Sequence, residues 1–144
     1  KKSIKQLSKL GKNFIIEKMI PDIVAEMIIG IKVDDQFGPL IVIGSGGIYT
    51  ELINDSVTLL LPLTKSIVLD AINSLKISKL LYGYRGKAKG DINALVETIL
   101  KLGKFAEKNA SSIIEADINP LIICNKGKGV IAADALIHYL EEIK

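Results

Sequence analysis

The spacing of apolar and polar positions changes character several times along the chain. From Ala25 to Asp34 (A-E-M-I-I-G-I-K-V-D) the period is two. Ala25, Met27, Ile29, Ile31 and Val33 fall on one face, and Glu26, Ile28, Gly30, Lys32 and Asp34 on the other. That alternation predicts a strand buried on one side with a polar, usable face on the other. Before it, N-F-I-I-E-K-M-I at 13–20 reads as a strand stopping near Pro21. After it, D-D-Q-F-G-P is a turn by composition, and the all-apolar P-L-I-V-I-G has the pattern of a central strand covered on both sides. The period then lengthens. Thr64 is placed to cap a helix with Ile67, Val68, Ala71, Ile72 and Leu75 in one stripe. Beyond the loop G-Y-R-G-K-A-K-G, Asp91 caps a second helix that keeps Ile92, Leu95, Val96, Ile99, Leu100 and Phe105 at helical spacing. From Ser112 the pattern predicts strand, turn, strand and a short helix ending in L-E-E-I-K. Two one-sided helices need a sheet to cover, so the fold class is α+β with a mixed or mostly antiparallel sheet. Residues 1–12, Lys-rich, are expected to form an arm or helix end, and 13–144 the compact part.

Composition narrows this picture only slightly. A chain of 144 residues suits one domain, and 49% hydrophobic with 24% charged residues sets it apart from disordered sequences. No apolar run approaches the roughly 18 residues of a membrane span, and no signal-peptide pattern opens the chain. The single Cys124, inside an apolar run, agrees with a cytoplasmic location. The net charge of +3 does not indicate nucleic acid, because the lysines are spread along the chain and Arg85 is the one arginine.

The chemistry concentrates near the C-terminal end. In I-I-E-A-D-I-N-P-L-I-I-C-N-K-G-K-G-V-I-A-A-D, the cluster N-K-G-K-G between two apolar runs signals a hairpin with a loop longer than two residues. With the turn centred on Gly127, position 120 faces 134 and 124 faces 130, so Asn119 and Asp134 are diagonal neighbours on strands roughly 5 Å apart. Alternation adds Glu115 and Asp117 to the face of Asn119, giving up to four oxygen ligands. Carboxylates with an amide oxygen, and no His or Cys, are hard-cation chemistry. They suit Mg²⁺, which commonly completes its octahedron with water and nucleotide phosphates. The alternative is a solvent-facing strand edge whose charges keep other sheets from pairing. Asp134 weighs against that, since an acid closing an apolar run is costly without a partner.

The stretch V-A-E-M-I-I-G-I-K-V-D-D-Q-F-G-P-L-I-V-I-G-S-G-G-I-Y-T-E-L, followed in order by P-L, G-Y-R-G, E-A-D-I-N-P-L-I and A-A-D-A, resembles the ATP-grasp domain of the ADP-forming acyl-CoA synthetases. These are relatives of the succinyl-CoA synthetase β subunit. The resemblance runs from about Asn13 to Ile137 and implies interconversion of acyl-CoA, ADP and phosphate with acid, CoA and ATP through an acyl phosphate and a phosphohistidine. It implies that Asn119 and Asp134 are Mg²⁺ ligands and that Asp117 is an acid beside the metal. Glu17 matches the acidic residue of the adenine hinge, with backbone near Met19 meeting the base, and Glu26 matches the carboxylate on the ribose hydroxyls. G-S-G-G-I-Y is not a dinucleotide fingerprint, since its third glycine would fall at Tyr49. Gly46 and Gly47 resemble the family loop in which a phosphate or the phosphohistidine segment approaches backbone N–H groups. Arg85, flanked by glycines, offers a guanidinium for phosphate; an ordinary surface arginine is the alternative.

The resemblance also has gaps. The family's phosphate-binding lysine, its first glycine-rich loop and its I-x-H-K-like segment have no counterpart here, and His138 is expected to be structural. Leu59 stands where the family often has Arg. The expectation is therefore the second half of an ATP-grasp domain: a fragment, a truncated form, or a piece pairing with other chains. Its partners would be the N-terminal half and the CoA-binding or ligase modules, in an oligomeric enzyme using Mg²⁺ and ATP or ADP, with the 144 residues inactive alone. The second hypothesis is a non-catalytic sensing or assembly module, as in fusions with protein acetyltransferases.

Overall fold

The computed structural model describes residues 7, 11–47 and 54–140. The expected arm at 1–12 lies largely outside them, as do residues 48–53 and 141–144. The chain forms β1 (Ile23–Asp34), β2 (Gly38–Ser45), β3 (Ser56–Leu60), α1 (Lys65–Ser74), α2 (Ser78–Leu81), α3 (Ile92–Lys108), β4 (Ile113–Cys124), β5 (Val130–Ala132) and β6 (Ala135–Tyr139). The strands form one sheet in the order β3-β2-β1-β4, and β5 and β6 pair with successive stretches of β4. Every pairing is antiparallel. No helix among the described residues is long and apolar enough to cross a membrane.

The period-two pattern of β1 builds the core. Met27, Ile29 and Ile31 are buried with Ile41 and Ile43 of β2, and Val68, Ile72, Leu95 and Ile99 of the helices close over them. Each such side chain contributes about 1.5–3 kcal/mol through burial. The helices start where expected: Thr64 Oγ1 accepts the Ile67 N–H at 3.3 Å and Asp91 Oδ1 the Ala94 N–H at 3.2 Å. Between β1 and β2, Asp34 Oδ1 accepts the N–H groups of Gln36 and Phe37, and Gly38 takes a φ of +71° that glycine adopts readily.

Several expectations are corrected. Residues 13–20 form no strand; the segment pairs with nothing in the sheet and leaves Ile15 and Met19 almost fully exposed. Among the described residues β2 is covered by helices on one side only: Ile41 and Ile43 are fully buried, whereas Leu40 and Val42 face the other side and are half-buried. Ile67 is exposed, leaving Val68, Ala71 and Ile72 as the buried stripe of α1. The tail continues as β6 rather than a helix, because β4 is 12 residues long and β5 pairs with only its end; 135–139 take the rest of that edge. The hairpin register also shifts by one residue. Ile123 faces Val130 and Leu121 faces Ala132, so the turn centres between Lys126 and Gly127.

Candidate functional site

The site is the face of the sheet that, among the described residues, the helices leave open. Glu26, Ile28, Gly30 and Lys32 stand on it from β1, since their neighbours Ala25, Met27, Ile29 and Ile31 are in the core. On β4, Asp117 lies opposite Gly30 and Glu115 opposite Lys32. Ile122 lies opposite Glu26, on the same open side, because the pairing of β1 with β4 shifts between Met27 and Ile29. That shift lets Asp117 and Ile122, five positions apart, share one face.

The corrected register sharpens the pair at the end of the row. Asn119 and Asp134 are not diagonal but directly across from each other: the Asn119 N–H donates to the Asp134 carbonyl at 3.2 Å, and the Ala133 N–H to the Pro120 carbonyl at 3.0 Å. They sit where β5 gives way to β6. Asp134 Oδ1 accepts the Ala135 N–H at 2.8 Å, which orients its carboxylate. Beside them burial, then the charge of Glu115, then that of Asp134 raise the Asp117 carboxyl above its ordinary value. Glu115 itself is drawn aside, with Oε1 2.7 Å from His138 Nδ1 in a half-exposed pair, so the four-ligand row reduces to Asp117, Asn119 and Asp134. Among the described residues no group of three or more His, Cys, Asp or Glu side chains is placed to hold a metal. By donor chemistry, an amide and one or two carboxylates nevertheless fit Mg²⁺, an ion that takes few protein ligands.

Gly46 and Gly47 pack against Glu26. The Gly46 N–H donates to the Glu26 carbonyl at 2.8 Å, and a Cβ on Gly46 would come within 2.9 Å of the Glu26 carbonyl carbon. Gly47 has φ +83°, and a Cβ there would lie 3.5 Å from Glu26 Oε2. The rest of that motif, including Tyr49, lies outside the described residues. Met19 borders a cavity of about 260 Å³ with Pro21, Cys124, Lys128 and Ile131. Ile131 is the cross-strand partner of Ile122, which faces Glu26, so this cavity continues the row. Glu17 is exposed in the preceding coil and does not line the cavity.

Arg85 is not brought to this row. It has φ +50° and stacks over the Tyr84 ring at 5.2 Å. Its loop is tied to the hairpin turn by the Lys126 N–H to Lys89 carbonyl bond at 2.8 Å. That end of β4 lies on the order of 15 Å from Asn119 at about 3.3 Å per residue. Leu59 is buried opposite Ile41, facing the core rather than the open side.

Two buried acids escaped the sequence reading in whole or part. Asp55 accepts the N–H groups of Lys76 (2.7 Å) and Ile77 (2.9 Å), fastening the start of β3 to the turn before α2. Asp91, read as a helix cap, also accepts the Gly129 N–H at 2.9 Å, which clamps the hairpin turn to α3; mainly through that bond its carboxyl is held below the ordinary value. Both partners are distant in sequence, and only an acid beside an apolar run, as in N-D-S-V and K-G-D-I, hinted at them.

Comparison with known proteins adds four findings. The family model described as an ATP-grasp domain matches residues 4–138. The chain is similar to acetate–CoA ligase (ADP-forming) II subunit beta of Pyrococcus furiosus, 37% identical over 112 residues covering 78% of this chain and 48% of that protein. It is similar to 4-hydroxybutyrate–CoA ligase (ADP-forming) of Nitrosopumilus maritimus, 41% identical over 112 residues covering 78% of this chain and 16% of that one. Among solved structures it is similar to acetyl-coenzyme A synthetase 1 of Ca. Korarchaeum cryptofilum in complex with coenzyme A and Mg-AMPPCP, with a TM-score of 0.77, 34% identity, and coverage of 85% of this chain and 55% of that one. The chain therefore spans about half or less of the relatives it matches.

Proposed function

Since the chain belongs to the ATP-grasp family of ADP-forming acyl-CoA synthetases, we propose that its open sheet face is the metal-ligand half of a nucleotide site. The whole enzyme, in the cytoplasm, passes a phosphoryl group between an acyl phosphate or phosphohistidine and ADP. The cavity beside Met19 takes the base, with Glu17 near it, and Glu26 holds the ribose hydroxyls. Asn119 and Asp134 hold Mg²⁺, and Asp117 stands beside it. When bound, the ion neutralises charge on the transferring phosphoryl oxygens. Gly46 and Gly47 keep Glu26 in place and leave room for phosphate, while Arg85 offers an exposed guanidinium to an anion at the hairpin-turn end. The other half of the site and the CoA-binding modules come from the N-terminal part of the domain and from other modules or subunits of an oligomer, so the 144 residues alone bind Mg-nucleotide weakly and do not turn over.

One observation carries this reading: Asn119 and Asp134 face each other across the ladder, next to an acid whose carboxyl is raised by burial and neighbouring charge. Replacing Asp134 with Ala in the complete enzyme is expected to lower magnesium affinity by more than about tenfold and to abolish turnover, with an unchanged circular-dichroism spectrum. Near-normal turnover refutes the role. Leu59 faces away from the row, so the departure from Arg there lends the non-catalytic reading no support.

A further inference from the structure

We propose that the loop at 83–90 and the hairpin turn beside it form a second anion site, apart from the magnesium row, for a small ligand that carries a phosphate or pyrophosphate group. The inference deepens the reading of Arg85 given above and does not depend on the magnesium pair.

Arg85 holds a backbone conformation that does not suit it. The Lys87 N–H donates to the Tyr84 carbonyl at 3.1 Å, and the two residues between, Arg85 and Gly86, have φ of +50° and +78°. Tight turns with positive φ at both central positions are dominated by Gly, Asn and Asp, because a longer side chain crowds its own backbone there. Glycine would serve this turn better than arginine does. Among the described residues the arginine gives the fold little in exchange. It is exposed, it forms no ion pair, and its guanidinium stacks 5.2 Å from the ring centroid of Tyr84, its neighbour in sequence, so it ties no distant element. A disfavoured conformation kept by a side chain that packs against nothing remote points to a role in binding.

The surroundings of Arg85 supply the rest of a site. Tyr84, on which it stacks, lines a cavity of about 320 Å³ together with Lys87, Asn125 and the apolar Val24, Leu80 and Ala88. That volume falls within the roughly 300–1,000 Å³ of small-molecule sites. Lys89, Lys126 and Lys128 stand on the two segments joined by the bond from the Lys126 N–H to the Lys89 carbonyl. Five exposed cations thus gather at this end, and among the described residues none of them forms an ion pair. Two acids are close by. The Asp91 carboxylate is already engaged by the Ala94 and Gly129 N–H groups, and Asp22 lines the cavity, so positive charge stays in excess. A doubly charged phosphate balances that excess better than a single carboxylate does, and Arg and Lys both bind phosphate through charge-assisted hydrogen bonds. Apolar side chains among these polar groups suit a ligand with a carbon body, whereas an acidic protein surface would call for the charge alone. The hairpin-turn end lies on the order of 15 Å along β4 from Asn119, too far for one phosphate to touch both.

The complete enzyme in magnesium-free buffer tests this, with lysines acetylated in the presence and absence of inorganic phosphate or pyrophosphate and the products read by mass spectrometry. At least one of the two anions is expected to slow the labelling of Lys87 severalfold while Lys101, exposed on α3, labels as before. Protection by both assigns a single phosphate group to the ligand, and protection by pyrophosphate alone assigns a diphosphate. Equal labelling of Lys87 with and without either anion overturns the inference, including the case in which an acidic surface of another module already covers these lysines. Arg85→Gly is expected to raise the dissociation constant of the protecting anion about tenfold in calorimetric titration, and to melt within about 2 °C of the parent. Unchanged affinity overturns the inference; so does melting several degrees lower, since the fold would then need the arginine. Two further variants separate this site from the row. Lys87→Gln should weaken the anion and bind Mg-ADP as the parent does, and Asp134→Ala should do the reverse. If Lys87→Gln weakens Mg-ADP as much as the anion, the second site is part of the nucleotide site and this inference fails alone. If Asp134→Ala binds Mg-ADP normally, the reading of the row fails alone.

Discussion

The two faces of β1 are made by the same 12 residues and obey different rules. One face, with Met27, Ile29 and Ile31, is closed by helices and leaves almost no surface. The other, with Glu26, Gly30 and Lys32, is flanked by acids on β4 and has no helix over it among the described residues. On the closed face each side chain is chosen by packing, so a change there is felt by the whole fold. On the open face at least one carboxylate, Asp117, sits where its charge is disfavoured. Positions that cost stability without structural return are where a ligand should be sought.

Mutations can break this contrast. The largest effect is expected on the closed face: Ile29→Ala should destabilise by about 2–5 kcal/mol in urea titration, as deep core truncations do. Asp55→Ala, which removes the acceptor of two backbone N–H groups at a buried position, should cost about 1–3 kcal/mol by the same measurement. On the open face, Asp134→Ala should change stability by less than about 0.5 kcal/mol although it removes binding. A loss there as large as that of Ile29→Ala would erase the distinction between the faces.

Acid titration sharpens the contrast through sign. Asp117 has a raised carboxyl, so its ionised form opposes folding at pH above the raised value, and that opposition fades as pH falls toward the ordinary 3.8. Asp91 has a lowered carboxyl, so its stabilisation is complete above 3.8 and is lost as pH falls through the depressed value. Asp34, lowered by the N–H groups of Gln36 and then Phe37, acts in the same direction as Asp91. Denaturation midpoints followed across the acid range should show Asp117→Asn removing a rise on the higher-pH limb and Asp91→Asn weakening the fall on the lower one. An Asp117→Asn curve superimposable on that of the parent would contradict the burial and like-charge account of that residue.

How much of this the sequence disclosed depended on the range of the interaction involved. The faces of β1 were legible because alternation is local, and so were the caps at Thr64 and Asp91, whose first partners lie three residues away. The all-apolar run of β2 suggested cover on both sides because its pattern does not reveal which neighbours exist. Apolar 13–20 looked like a strand for lack of any sign that no partner edge was available to it. A-L-I-H-Y fits either period, and only the unpaired length of β4 decides it. The hairpin pointed to Asn119 and Asp134 even with the register off by one, since a one-residue slip turned a diagonal pair into a facing one. Asp55, bonded 21 and 22 residues away, and the second oxygen of Asp91, bonded 38 residues away, had no local trace.

The clamp from Asp91 to Gly129 has an experimental use. An amide in an exposed glycine turn ordinarily trades its hydrogen with solvent quickly, but this one is locked to a carboxylate at the mouth of a helix. Its deuterium uptake is thus a single-atom gauge of whether the arm bearing Asp134 is seated on the helical layer. Nucleotide that steadies the arm should slow the gauge, and loosening at the start of α3 should quicken it without touching any group on the open face.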